Sequence, residues 1–153
     1  MSNRCVKDVC REREEVIMED TLGVTLVWLF VILFMFHDFE EIITVEKWGA
    51  HTKHLANTRL KQYIWKFWNI SSHDFAKRDV FILLTTTGVT LVKVFFAGNG
   101  WVDGLYIGFL ILALLHHVVH VAQTIILRAY TPGLFTAIGL LIPYTLYLLI
   151  YML

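Results

Sequence analysis

The feature that most constrains this chain is an apolar run with no ionisable residue, Leu22 to Phe36, which passes without a turn signal into His37-Asp38-Phe39-Glu40-Glu41. Crossing the hydrocarbon of a bilayer takes about 20 helical residues. The apolar part alone is too short for that, so a span here has to carry the His-Asp-Phe-Glu-Glu segment within the membrane or at its edge. Ionisable side chains in such a place are costly to bury, and the default expectation is that they serve a function.

The rest of the chain repeats the pattern. Of 153 residues, 57% are hydrophobic and only 17% charged, with a net charge of zero. A soluble domain has about 45–50% apolar residues and about a quarter charged. The excess lies in long runs, giving spans at about 21–45, 80–98, 101–127 and 134–153 behind a charged juxtamembrane tail, residues 1–20. The expected fold is all-α, a single four-span transmembrane bundle. Pro143 should kink the last span, and Lys93 sits where its amine can reach the surface.

The connection at 46–79 mixes bases (Lys47, Lys53, Arg59, Lys61, Lys66, Lys77, Arg78) with rings (Trp48, Tyr63, Trp65, Phe67, Trp68). Leu60, Ile64 and Phe67 recur at helical spacing. That combination predicts a short interfacial helix between the first and second spans, in the headgroup region. Its bases outnumber those of the tail (Arg4, Lys7, Arg11, Arg13), which places the 46–79 loop on the cytoplasmic side. In so apolar and uncharged a chain these bases do not argue for nucleic acid. Cys5 and Cys10 form an isolated C-x4-C pair in the tail, read as ordinary thiols.

Two polar faces stand out. His37, Glu40 and Glu41 are at i, i+3 and i+4, and His116 and His120 are four apart, so each set shares a helix face. Asp38 points about 100° away, toward the rim, and His117 lies off the face of its neighbours. The first and third spans run in the same direction. At 1.5 Å per residue, His37 and His116 fall within about 3 Å of one depth, as do Glu41 and His120.

A carboxylate pair in such a layer needs a proton or a cation to balance it. Ligands at i, i+4 reach a single ion, so His37, Glu41, His116 and His120 are candidate ligands of a divalent metal, with zinc, iron and manganese not distinguished. Glu40 is the candidate general base on a metal-bound water, by analogy with the H-E-x-x-H and H-x-x-E-H metallohydrolase helices. Three functions stay open. One is metal binding, extending to a metal-dependent hydrolase acting on a lipid-like or other small substrate in the membrane. The second is passage of protons or metal ions. The third is a structural or accessory subunit in which the polar cluster joins helices.

The His37-Asp38-Phe39-Glu40-Glu41 segment resembles the signature of the HXXEE-motif proteins, small bacterial membrane proteins of uncharacterised function. The family's second element, N-x-x-x-H, is matched at His120, with His116 standing where the family has asparagine. Its third, Pro-Gly followed by threonine, is matched by Pro132, Gly133 and Thr136. The resemblance implies the same topology in a bacterial cytoplasmic membrane and a shared polar centre lined by Pro132, Gly133 and Thr136. It implies no reaction. The asparagine makes His116 an auxiliary ligand at most. A glutamic-type membrane protease is disfavoured, because its E-E-x-x-x-R pattern would need arginine at Val45. Four spans are few to enclose a site, which leaves a homodimer open.

Overall fold

The computed structural model describes the backbone of residues 3–153, and the side chains of Met18 and of residues 21–153. The side chains of Cys5, Cys10 and the 11–15 charge run lie outside the described residues. Those described form helices joined by short turns, with no strand among them.

Helix α1 is Asn3–Thr52, longer at both ends than the span expected at 21–45. A 3-10 turn at Lys53–Leu55 leads to α2, Arg59–Trp68. Helix α3 is Ser72–Phe95 and α4 is Gly100–Leu127. The last helix, α5, runs over Leu134–Met152. It opens as one α-turn, widens to a π-helical segment at Ala137–Leu141 and resumes as α-helix at Ile142. Pro143 explains the widening. Proline has no N–H to give and its ring clashes with the carbonyl four residues back, so the π segment takes up the mismatch.

Among the described residues, three helical stretches are long and apolar enough to cross a membrane: Thr21–Leu55, Gly100–Leu127 and Leu134–Met152. Helix α3, where a span was expected at 80–98, does not meet that description. It begins eight residues earlier and carries Lys77, Arg78, Asp79 and Lys93. It lies along α1, with Asp79 near Asp38 at one end and Val94 near Val24 at the other. Lys93 is partly buried and pairs with Asp103 in the first turn of α4. The helix surfaces carry large exposed apolar side chains, among them Ile43, Phe81, Leu84, Leu112 and Ile150. So much exposed apolar surface on several faces suits a lipid environment.

Two apolar clusters hold the helices together. Leu26, Val27, Phe30 and Phe34 of α1 meet Tyr106, Leu110 and Ala113 of α4 and Leu141 and Leu148 of α5. Toward the other end, Val45 and Trp48 of α1 meet Ile64 and Trp68 of α2, Phe75 of α3 and Leu127 of α4. Between apolar helices in lipid the gain comes from close van der Waals packing more than from expelled water. In α1 the buried positions include 27, 30, 34, 37, 41, 45 and 48, with 26, 31 and 38 beside them; in α4 they run 106, 110, 113, 117 and 120, with 127 two turns further on. These are seams with three- and four-residue steps, the pattern of helices packed side by side. Histidines and acids occupy their middle steps, so the polar layer sits between the two apolar clusters.

Helix α2 turns a different stripe inward from the one expected. Ile64 and Trp68 are buried, while Leu60 and Phe67 face out. Trp68 is 1% exposed. Its ring stacks on Phe75 at 5.6 Å and lies 5.5 Å from that of His120. Trp65 Nε1 donates to the Gly49 carbonyl at 3.0 Å, and Trp48 Nε1 donates to the Tyr130 carbonyl. Helix α2 therefore roofs the polar layer as well as flanking it.

Candidate metal centre

His37 and Glu41 from α1 and His116 and His120 from α4 each present a donor atom, and these atoms all lie within 4.8 Å of one another. Glu41 Oε1 is 3.8 Å from His37 Nε2 and 3.4 Å from His120 Nε2, and His120 Nε2 is 3.1 Å from His116 Nε2. Tetrahedral ligands at about 2.0–2.1 Å from an ion lie about 3.3 Å apart, so this spacing is of the right size. His37, Glu41 and His120 are buried; His116 stands on the exposed side of α4.

The orientation of the rings says more than the distances. His120 Nδ1 is 3.0 Å from the Pro132 carbonyl oxygen. A carbonyl only accepts, so that nitrogen carries the proton and Nε2 keeps its lone pair. His37 Nδ1 is 2.8 Å from Thr136 Oγ1, and the Thr136 hydroxyl is 2.6 Å from Glu40 Oε2. With the hydroxyl donating to the carboxylate, His37 Nδ1–H donates to the hydroxyl oxygen, and His37 Nε2 is also left as a lone pair. It is buried and has no hydrogen-bond partner among the described residues. Histidines that bind metals are held this way, by a carbonyl or carboxylate behind the ring. Both Nε2 atoms face Glu41 Oε1, that of His120 also within hydrogen-bond distance of His116 Nε2.

The turn between α4 and α5 supplies these supports. Gly133 has φ +79°, a left-handed conformation that glycine adopts without strain. A Cβ there would lie 2.6 Å from His37 Cε1 and 2.9 Å from Glu41 Cγ, so the backbone passes directly beneath the cluster. Thr131 is fully buried and shares a 2.7 Å hydrogen bond with Thr124.

Glu40 sits outside the donor group. Its carboxylate accepts from Tyr130 Oη at 2.6 Å, the Phe135 N–H at 3.2 Å, and the Thr136 N–H and hydroxyl at 2.8 and 2.6 Å. It ties the start of α5 to α1, a position where the free N–H groups of a helix favour an anion. Burial, and then the bond to Glu40, holds the Tyr130 phenol well above its ordinary pKa, which keeps it a donor.

One expectation is corrected. Asp38 is not on the rim; it is 4% exposed and lies within 4.8 Å of Glu41 and Asp79. His117 stands outside the donor group, in keeping with its place off the face of His116 and His120, and is fully buried, its ring 4.9 Å from that of His37. The α4 seam at 106, 110, 113 and 117 was the signal for it. Asp79 had not been singled out at all. Its signal was Ser71-x-x-Asp74, a capping pattern that starts α3 early enough to carry Asp79 inward. Ser71 Oγ accepts from the Asp74 N–H at 3.1 Å and donates to its carboxylate at 2.9 Å. His51, His54 and His73 are on the surface or partly so, away from the cluster.

Fold and site together define an all-helical protein that buries a histidine–glutamate group, able to hold a metal ion, between helices apolar enough to cross a membrane. The chain belongs to the family described as protein of unknown function with HXXEE motif, whose model matches residues 28–148. No curated protein and no solved structure matches it.

Proposed function

We propose that this is a multi-pass membrane protein that binds a divalent metal ion through His37, Glu41 and His120, with His116 as an exchangeable fourth ligand, and that it acts as a metal-dependent hydrolase on a membrane-embedded substrate. The observation that carries the metal is the pair of Nε2 lone pairs, each fixed by a hydrogen bond behind its ring, facing one carboxylate. Nitrogen and oxygen donors of this kind suit zinc, iron or manganese. Two histidines and a glutamate leaving one open position is also a hydrolytic zinc set. His116 lies at the lipid-facing edge, so its departure would open the fourth position to water or to a substrate entering from the bilayer.

The four hydrogen bonds to Glu40 support a positioning role for it rather than that of the base. It holds Thr136, which holds His37. Helix α3, which parallels α1 over most of its apolar length, is taken as a fourth crossing, with the basic 46–79 connection on the cytoplasmic side.

Elemental analysis of the purified full chain tests the metal, and hydrolysis of a fluorogenic lipid ester tests the reaction. About one ion per chain at the histidine group, lost in Glu41→Ala together with hydrolysis, is the expected result. Absence of metal at saturating zinc, iron or manganese removes the proposal. Bound metal with no turnover of esters or phosphoesters removes the hydrolase and leaves metal binding.

A further inference from the structure

Beside the histidine group lies a second set of donors. Asp38 of α1 and Asp79 of α3 each bring a carboxylate oxygen within 4.8 Å of Glu41 and of each other. The three residues are 4%, 2% and 4% exposed for Asp38, Asp79 and Glu41. Asp38 Oδ2 and Asp79 Oδ2 are buried without any hydrogen-bond partner among the described residues. Among the described residues the cation paired with this group is Arg78, whose Nε is 3.9 Å from Asp79 Oδ1. That guanidinium lies over the Phe67 and Phe75 rings, at 4.5 and 4.1 Å. One shared arginine at the margin does not balance three buried carboxylates.

Unpaired buried carboxylate oxygens are strongly unfavourable. Two of them, Asp38 Oδ2 and Asp79 Oδ2, lying beside Glu41 with no hydrogen-bond donor among the described residues, are the arrangement of a cation site. From this geometry, and resting on the proposed metal at the histidine group, we infer a second divalent-cation site formed by Asp38, Glu41 and Asp79. Glu41 belongs to both groups and bridges the two ions. Carboxylate bridges of this kind hold metals about 3.5–4 Å apart in two-metal centres. All-oxygen donors select a harder ion than the histidine group does, in the class of magnesium or manganese. Helix α3 is then part of the site, and its charged start is explained by the ion it helps hold.

The test uses the full chain in detergent micelles, saturated with Mn(II), freed of loose ion by gel filtration and assayed for manganese per chain. The expected result is two ions in the wild type and one in both Asp79→Asn and Asp38→Asn. The asparagine amides keep the size of the side chains and relieve carboxylate repulsion, so both variants should stay monodisperse, with metal-free melting temperatures at or above wild type. One ion in the wild type and in both variants overturns the second site while leaving the histidine site standing. No ion in any of the three overturns both.

Discussion

Gly133 and Thr136 lie three residues apart on one turn and constrain the cluster in different ways. Gly133 is needed for its missing side chain. Gly133→Ala would put a methyl group 2.6 Å from His37 Cε1 at a left-handed φ, which should cost about 1–3 kcal/mol of stability and abolish metal retention. Gly88→Ala, where a Cβ meets nothing within 4 Å, should leave both unchanged; unfolding in micelles and metal content check the pair. Thr136 is needed for its hydroxyl. Thr136→Val leaves His37 Nδ1–H without its partner and should weaken metal affinity about 10–100-fold with the fold intact, while Thr136→Ser restores it; chelator competition measures this. Pro132, Gly133 and Thr136 entered the sequence account through family resemblance alone. Spacing could not have found them, because Gly133 and Thr136 act on His37, about a hundred positions away, and Pro132 acts through its carbonyl on His120 of the preceding helix. His37, Glu41 and His120 were legible, since helical periodicity and depth arithmetic both operate within single helices.

The helices were more legible in their existence than in their limits. Helix α3 was placed at Val80 by its first apolar residue, whereas the Ser71 cap sets its start at Ser72, and that difference hid Asp79. His116 and His120, four apart, meet in the donor group, while the whole length of α4 defines a seam that buries His117 beside them. Helix α2 was foreseen as an amphipathic surface helix, but not as the roof of the cluster. Its weight rests on Trp68, which stacks on Phe75 and donates to Gln123 Oε1 at 2.8 Å. Trp68→Ala should cost about 3–5 kcal/mol through the void it leaves. Trp68→Phe, losing the hydrogen bond and part of the ring area, should cost about 1–2 kcal/mol. Chemical unfolding of the two variants in micelles would show the difference in size.

At the scale of the molecule, a polar layer is enclosed between two apolar clusters and surrounded by apolar helix surfaces. Enclosure matters because low dielectric strengthens the attraction between a cation and its ligands. Composition made the helical class plain, but it could not decide α3, whose charges lie at its ends and whose apolar middle is short. If α3 crosses the membrane, cysteines placed at His54 and Asn99 in a chain without Cys5 and Cys10 will be labelled by an impermeant reagent from opposite sides. Labelling from one side would reduce the crossings to three. The central claim is that two imidazoles and a carboxylate are held ready for one ion. X-ray absorption at the zinc edge of the protein loaded with one equivalent of zinc tests it most directly. The account predicts nitrogen and oxygen neighbours at about 2.0–2.1 Å with outer-shell scattering from at least two imidazoles. An oxygen-only shell without imidazole scattering would contradict it.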